Sequence, residues 1–427
     1  MVDTITVFSI AGAIIAIGFV AKMLFKKTGV SDAIFLIIIG IVLGPMLGVF
    51  VEENLIPVTP FFVPLALMII LFEGGLNMEI YKVISQSFRA TVLSVVYVLM
   101  ATAFGLIFGY FVLGLEWLGA LILGPMTAGT SSMVILPLMS KLNVKTKVKV
   151  TLDLEATITD VLNIVLVITF LQMFLGGSMN LQQTASAIVA KFSVGTVLGI
   201  IVGIAWLKML AITEKHEYTY MLTMAALILS YVGSEILNGS GFITALSFGL
   251  ILGNHKELNK ISGWKTDTSY MRKIEKTLKH FQGEIAFLIR AFFFVFLGLV
   301  YAYDWPRVLY AGAIVAINLV FRYVAAAIST FKSDMCKYRR FMTLMCGTGL
   351  ANATLSIMVY DALMALTIPV PYAHLYPLIV TNIIVINNVI TALVPVLVRK
   401  RILIDSDRRR GRDHAGVTIG AQKVLNR

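Results

Sequence analysis

The sequence is poor in charged residues. Only 14% of its 427 residues are Asp, Glu, Lys or Arg, whereas 58% are hydrophobic and the mean hydropathy is +0.89. Soluble globular domains carry about 25% charged residues. The composition therefore excludes an ordinary soluble enzyme or binding module and indicates a polytopic membrane protein.

Cysteine and histidine are scarce as well, with two and five residues respectively. Cys336 and Cys346 lack the spacing of metal ligands and need not pair, so they indicate neither a metal centre nor a redox compartment. All the histidines fall in predicted loops, near span ends or in the C-terminal tail, which excludes a histidine proton relay within the membrane. We expect no cleavable signal peptide, because the first apolar run is long enough to span and is followed by lysines.

Long apolar runs are abundant. They predict about thirteen transmembrane helices, because a helix satisfies its own backbone hydrogen bonds in lipid. The predicted spans are 5–25, 33–50, 58–76, 88–113, 117–140, 150–175, 184–211, 218–237, 240–253, 283–302, 307–330, 341–365 and 372–398. The ninth is short for a full span. Together they form one transmembrane domain, 1–398, followed by a basic tail, 399–427.

The positions of the basic residues support this count. If the N-terminus is outside, nearly all Lys and Arg lie in alternate loops and in the tail, which would then be cytoplasmic. Lys191 and Arg307 fall on the opposite face, and Arg290 and Arg322 lie within spans. Orientation in a lipid bilayer thus explains the net charge of +12 without a nucleic-acid partner. We expect a multi-pass protein of the cell membrane with a cytoplasmic C-terminus.

Two spans are interrupted in a similar way. The fifth contains GPMTAGTSS from Gly124, and the twelfth contains CGTGLANATLS from Cys346. Broken helices in corresponding positions predict two inverted six-helix repeats, about 5–175 and 218–398, joined by a linking helix, 184–211. They also predict a binding site near the middle of the membrane. The alternative is that these glycines only permit close helix packing.

Several carboxylates lie within these spans, where ionisable groups commonly serve function. Glu155 and Asp160 in the sixth span are separated by roughly 140° around the helix, so they cannot serve one small site jointly. Asp153 lies near a lysine-rich loop, where we expect an interfacial or capping role. Glu73 ends the third span beside two glycines and fits either a site residue or a residue reaching the membrane surface.

The arginines within spans need partners, because arginine does not lose its proton. Glu155 is the natural partner of Arg322, which leaves Asp160 unpaired. An unpaired aspartate at membrane depth can hold either a proton or a cation, because desolvation disfavours its bare charged form. This competition is sufficient to couple two ion fluxes.

The chain resembles the monovalent cation/proton antiporters, and most closely the archaeal and bacterial sodium/proton exchangers of the NhaP type. The resemblance covers about residues 5–398. It rests on LIIIGIVLGP, LFEGGL, TAGTSSMVILP, LEATITD, LIRAFFFVFLG and the region around Arg322. It implies an all-α antiporter fold, a homodimer, and no cofactor besides the transported Na⁺ or K⁺ and H⁺. The crossing region would move against a dimerising scaffold.

The resemblance also implies roles for individual residues. Asp160 would bind the cation and the proton, Thr130 would contribute an oxygen at the unwound fifth helix, and Glu73 would stand near the cation path. Glu155 and Arg322 would form a structural ion pair.

The chain departs from the family pattern in three places. Thr159 precedes the key aspartate where Asn is usual, Ser131 and Ser132 replace Asp-Pro, and Gly-Pro-Arg-Gly is absent around Gly347. The less charged, hydroxyl-rich site leaves both Na⁺ and K⁺ open.

Four further side chains are candidates for the site. Thr159 and Ser131 could add oxygens, and Arg290 and Asn352 are additional candidates.

We therefore expect an antiporter, not an enzyme, that exchanges Na⁺ or K⁺ for H⁺ by alternating access and regulates cytoplasmic pH and cation content. With a single titrating carboxylate the exchange would be electroneutral, unless Glu73 faces the same cavity and adds a second proton. The alternative is a sodium-coupled symporter that anchors an organic anion on Arg290. A channel or receptor is a third reading, in which Asp160 would have no need to titrate.

Overall fold

The structure is a computed structural model. It describes residues 31–48, 59–78, 80–176, 181–212, 219–255, 258, 268–301, 304–366 and 370–399, and the single positions 12, 16, 18–20 and 23. Within these residues the regular elements are all helices and no strand occurs. The predicted all-α class is confirmed.

The described helices are numbered here from Asp32 onward. The first, α1, is Asp32–Ile41 and continues into a π-helical turn, Val42–Met46. The others are α2 Thr59–Asn77, α3 Ile80–Phe111, α4 Trp117–Thr127, α5 Ser132–Ser140, α6 Thr146–Gly176, α7 Leu181–Ile212, α8 Thr219–Ile236, α9 Gly241–Gly253, α10 Thr268–Leu299, α11 Trp305–Ser329, α12 Arg339–Leu344, α13 Leu350–Met364 and α14 Leu375–Arg399. A 3₁₀ helix, Asp334–Tyr338, precedes α12.

From the second predicted span onward, each span coincides with one helix or with two half-helices. Eight helices, with α4 and α5 taken together, are long and apolar enough to cross a membrane. The first predicted span, 5–25, lies outside the described residues apart from single positions, as does the tail beyond Arg399. The count of about thirteen spans therefore stays a prediction, as do the repeat boundaries.

Two helices begin well before their predicted spans. Helix α3 starts at Ile80 rather than 88, and α10 starts at Thr268 rather than 283. The early part of α10 reads TSYMRKIEKTLKH, which is polar but rich in good helix formers. Hydropathy locates the apolar part of such a helix and misses its polar extension.

The short ninth span is a short helix in the structure. Helix α9 has 13 residues and is mostly buried. It packs against α2 on one side and α7 on the other. A side chain at Gly249 would overlap the carbonyl oxygen of Phe72, so glycine is needed for this close approach of α9 to α2.

The two predicted interruptions are confirmed. Helix α4 ends at Thr127, two residues after Pro125, which lies inside the helix and has no N–H to donate. Ala128 and Ser131 are extended, and α5 begins at Ser132. The second interruption separates α12 from α13, where the backbone leaves the helix between Leu344 and Leu350.

The helices pack in two groups. Helices α1, α2 and α7–α10 form one group, named the scaffold here; α2 packs on α9, and α1 on α10. Helices α3–α6 and α11–α14 form the other, named the crossing group, in which α3 contacts α4, α6 and α11. Helix α13 contacts both α2 and α14 and so joins the groups. This division brings both broken helices into the crossing group.

Candidate ion-binding site

The two unwound segments touch each other inside the protein. The backbone N–H of Ser131 donates to the carbonyl of Gly347 at 2.7 Å. The Thr348 hydroxyl donates to the Gly129 carbonyl at 3.4 Å. These contacts supply partners for backbone groups that the breaks remove from their helices, which is the condition for tolerating irregular backbone at membrane depth.

Two buried asparagines brace the first unwound segment. Asn352 donates from Nδ2 to the carbonyls of Met126 and Ala128, at 2.6 and 3.0 Å. Asn163 donates to the same Ala128 carbonyl. A side chain at Gly129 would meet the Asn352 amide, so this position must remain glycine for the brace to fit. Asn352, a candidate ligand from the sequence, thus has a bracing contact here.

The predicted pair of Glu155 and Arg322 is present in the structure. Arg322 Nη1 lies 2.7 Å from Glu155 Oε1, and Nη2 lies 3.0 Å from Oε2. Both side chains are essentially inaccessible, at 1% and 0% exposure. The guanidinium also donates to the carbonyls of Met342 and Met345. A bidentate pair with further hydrogen bonds is the arrangement that makes a buried ion pair tolerable.

Two predicted ion ligands point at this pair instead of at the cavity described next. The Thr130 hydroxyl donates to Glu155 Oε1 at 3.0 Å, and the Thr159 hydroxyl donates to the same oxygen at 3.3 Å. Both threonines are buried, and neither lines the cavity. In this conformation they saturate a carboxylate oxygen that would otherwise have one partner. Thr159 can reach this oxygen because it lies four residues after Glu155, one turn away on the same face of the helix.

A cavity of about 480 Å³ lies between the scaffold and the crossing group. Asp160 and Glu73 both line it, from α6 and α2, together with the hydroxyl residues Ser131, Ser132 and Thr157. The structure thereby places Glu73 in the same cavity as Asp160, which the sequence left open. Carboxylate and hydroxyl oxygens are suitable ligands for a hard cation.

The cavity extends towards the end of the bundle that bears the lysine-rich loop. Leu136 and Pro137 near the end of α5, Asp153 near the start of α6, and Met78 just after α2 line this part, with Lys279 from α10. Asp153 was expected to be interfacial, and it lies at this mouth. If the lysine-rich loop is cytoplasmic, the cavity is open to the inside.

The carboxylates in and near the cavity differ in whether a described positive side chain neutralises them. Glu155 is neutralised by Arg322, whereas no ion pair joins Asp160 to any described residue. Glu73 Oε2 is buried without a hydrogen-bond partner in the described part of the chain. Arg290 is paired with Asp32, at 3.3 Å between Nη1 and Oδ2. Asp160 and Glu73 are thus carboxylates with capacity to hold a cation or a proton.

Sequence reasoning missed Asn163 and Asp32. Asn163 follows Asp160 by three residues within an apolar helix, so its position on the face towards the break was a usable signal. Asp32 is the first residue of α1, directly after the N-cap Ser31, where a carboxylate is favoured by the positive end of the helix. The sequence contains no sign that it pairs with Arg290.

Two broken helices whose unwound segments contact each other beside a carboxylate-lined cavity are typical of a secondary transporter. The chain belongs to the sodium/hydrogen exchanger family: the family model described as "Sodium/hydrogen exchanger, transmembrane" matches residues 13–400. The protein is thus an integral, multi-pass membrane protein of a transporter family, not an enzyme. The resemblance found in the sequence motifs is confirmed.

Named relatives include exchangers of both sodium and potassium. The chain is 25% identical over 299 residues to Na(+)/H(+) antiporter 1 of Methanocaldococcus jannaschii, covering 67% of this chain and 66% of the relative. It is 25% identical over 276 residues to K(+)/H(+) antiporter NhaP2 of Shewanella sp. strain MR-4, covering 61% of this chain and 47% of the relative. The chain therefore spans just under two thirds of the first relative and about half of the second.

The fold matches a solved structure over nearly its whole length. The sodium proton antiporter MjNhaP1 from Methanocaldococcus jannaschii superposes with a TM-score of 0.75 at 23% identity, covering 91% of this chain and 95% of that one. This likeness establishes the antiporter fold.

The buried ion pair generates a stability prediction. Arg322→Ala should lower the free energy of unfolding by about 3–5 kcal/mol, because Glu155 would be left charged and unpaired. The double variant Arg322→Ala/Glu155→Gln should recover part of that loss. Thermal unfolding in detergent measures both. A double variant no more stable than Arg322→Ala alone would contradict the stabilising role assigned to the pair.

Proposed function

We propose that the protein exchanges a monovalent cation, with Na⁺ favoured over K⁺, for H⁺ by alternating access. The observation that carries the proposal is the cavity between the two helix groups, in which Asp160 has no ion-pair partner among the described residues while the neighbouring Glu155 is neutralised. The cation would take its oxygens from Asp160, Glu73 and the hydroxyls of Ser131 and Ser132. Both relatives named above support a cation/proton exchanger and leave the choice of cation to experiment.

Coupling follows from the occupancy of one carboxyl group. Asp160 lies in a partly buried position, where its charged form is poorly solvated unless a cation or a proton occupies it. If the crossing group moves only when this charge is compensated, each of its movements across the membrane carries either a cation or a proton. Competition between a cation and a proton for this one carboxyl group is sufficient for exchange.

The packing supports alternating access between the two helix groups. Asp160 belongs to the crossing group, and Glu73 belongs to the scaffold, so the cavity lies at the boundary along which the groups would move. One end of the cavity is open, while the first unwound segment, beyond its other end, is held by Asn163 and Asn352. A rigid-body motion of the crossing group past the scaffold would expose Asp160 to the other side.

Several broader properties belong to the same proposal. The charge pattern of the loops supports insertion with the N-terminus outside and the C-terminus cytoplasmic. Membership of an exchanger family supports location in the cell membrane, a role in cytoplasmic pH and cation content, and a homodimer in which the scaffold forms the contact. Na⁺ entry coupled to H⁺ exit, or its reverse, would depend on the prevailing gradients.

The position of Arg290 does not support the symporter alternative. It required Arg290 to bind an organic anion, but Arg290 is paired with Asp32 and does not line the cavity. Lys279 does line the cavity, near its mouth rather than beside Asp160. The described residues thus offer the cavity more negative than positive groups at its inner end, which favours a cation.

Asp160→Asn should abolish exchange without loss of folding, because it removes the titrating charge and keeps the size of the side chain. The measurement is the change in internal pH of proteoliposomes after addition of Na⁺ or K⁺ alone. Asp304→Asn is a matched control, since Asp304 pairs with Arg307 outside the cavity. Exchange at the wild-type rate in a well-inserted Asp160→Asn protein would refute the mechanism.

Exchange should also be electroneutral, with one cation moved for each proton. Although Glu73 lines the cavity, it belongs to the scaffold, so a charge on it would not cross with Asp160. Thr159, beside Asp160, has no charge to add. The exchange rate of Na⁺ in proteoliposomes with a valinomycin-clamped potential should not change with voltage. A clear voltage dependence that disappears in Glu73→Gln would show that Glu73 moves a second charge.

A further inference from the structure

A second, smaller cavity, of about 120 Å³, lies between the crossing group and the scaffold. Its wall from the crossing group is the second half of α6, the half away from the lysine-rich loop, and its other wall comes from α7, α8 and the start of α9. We name it the outer cavity, and we name the cavity that contains Asp160 the inner cavity. The residues that define the outer cavity in the argument below are Ile164, Ile168, Gln172, Lys191, Glu235 and Ile243.

One stripe of α6 lines both cavities. Asp160 and Val161 line the inner cavity, and Ile164, Ile168 and Gln172 line the outer one. These positions recur every three or four residues, so they lie along one face of the helix. Val161 and Ile164 are separated by about 4.5 Å along the helix axis, at three residues' rise. The two cavities therefore end within about one turn of each other, next to Asp160.

The outer cavity is closed at the end that approaches Asp160. Ile164 of α6 and Ile243 of α9 form this end, and their exposed fractions are 0% and 2%. The rim is polar instead, because Gln172 and Glu235 are both exposed there. Apolar constrictions stop hydrated ions by excluding water. A polar rim above a closed apolar end is thus the arrangement expected of a blocked ion route.

The two walls of the outer cavity are weakly joined. Lys191 Nζ of α7 donates to Gln172 Oε1 of α6 at 3.2 Å, and this hydrogen bond is exposed. The scaffold wall is firmer: the Ser240 N–H donates to the Lys191 carbonyl, and the Thr244 hydroxyl donates to the Gly195 carbonyl, both at 3.0 Å. Because α6 packs mainly on α3 and α4, it can move away from α7 and α9 without breaking up either group.

We propose that the outer cavity is the second access route to Asp160, closed in this conformation by Ile164 and Ile243. This inference rests on the proposed function of the inner cavity. When the crossing group moves against the scaffold, Ile164 separates from Ile243 because the two residues belong to different groups. The outer cavity then deepens by about one helical turn and reaches Asp160. The inner cavity supplies the route from the other side of the membrane.

Two charged side chains at the rim make this route testable. Glu235 Oε1 accepts the N–H of Gly241 at 2.8 Å, which holds the carboxylate at the start of α9. Lys191 lies on the rim as well, on α7. A carboxylate at the mouth of a narrow route raises the local concentration of cations, and an ammonium group lowers it. Both effects apply to cations that enter by the outer cavity, and not to cations that enter by the inner one.

The first test is the KM for Na⁺ at each face of the membrane, measured in right-side-out and in inverted vesicles from a host without its own exchangers. At the face that bears the outer cavity, Glu235→Gln should raise the KM about threefold, and Lys191→Gln should lower it by a similar factor. At the other face both variants should keep the KM of the wild type. Glutamine can still accept the Gly241 N–H, so Glu235→Gln removes only the charge.

Glu116→Gln is the matched control for surface charge. Glu116 is an exposed carboxylate that precedes α4, at the same end of the bundle, and it does not line the outer cavity. Its KM should equal that of the wild type at both faces. Equal changes at both faces, no change in either rim variant, or the same change in Glu116→Gln would overturn the proposal. Absence of exchange in the wild type would instead refute the proposed function.

The second test concerns the closed end of the outer cavity. Because Ile164 is inaccessible in this conformation, a small cationic sulfhydryl reagent added at the outer-cavity face should reach Ile164→Cys only when the cavity deepens during exchange. Its reaction should then cause loss of exchange. Val167→Cys is the matched control, since Val167 is equally buried on α6 and lines neither cavity.

The wild type is the baseline for this labelling. Its Cys346 is buried, and its exposed Cys336 lies beside Asp334, which pairs with Lys145 at the opposite end of the bundle. Neither the wild type nor Val167→Cys should lose exchange. An Ile164→Cys protein as insensitive as Val167→Cys would overturn the proposal. If Ile164→Cys does not fold, the rim variants test the same route.

Discussion

The buried ion pair between Glu155 and Arg322 is the contact on which the central region depends. It joins α6 to α11, and the same guanidinium binds carbonyls of Met342 and Met345 at the end of α12. Thr130 of the first unwound segment donates to the same carboxylate. Parts of both broken helices are thus attached to one pair of charges. Removing either charge would leave the other buried, which costs several kcal/mol in proteins, so the pair constrains the whole crossing region.

This constraint explains why Asp160 differs from Glu155, although both lie on α6. Glu155 has its charge compensated by Arg322, which binds both carboxylate oxygens, and Oε1 also accepts two hydroxyl donors, so it has no capacity for a cation. Asp160 lies on another face of the helix, in a cavity with Glu73, and has no such partner among the described residues. One arginine therefore gives the first carboxylate a structural role, and the proposed transport role falls to the second.

Much of this arrangement could be predicted from the sequence. The breaks at Pro125 and around Gly347 followed from glycine and proline in apolar runs, and Arg322 was paired with Glu155 because a buried guanidinium needs a carboxylate. The orientation of the threonines could not be predicted, since a hydroxyl beside a site can point to the ion or to a neighbouring carboxylate. Only tertiary packing decides which. Asp32 was missed for a related reason: its partner Arg290 is distant in sequence, and an acidic residue in the first turn of a helix is common for reasons unrelated to a distant arginine.

The central claim is that one carboxyl group, Asp160, exchanges its proton for a cation. Isothermal titration calorimetry of the purified protein with Na⁺ and with K⁺, in buffers of different ionisation enthalpy, measures the protons released per cation bound. The account predicts release of one proton for each bound cation under conditions in which Asp160 is protonated, and no release from Asp160→Asn. Cation binding without proton release in the wild type, or unchanged release from Asp160→Asn, would contradict it.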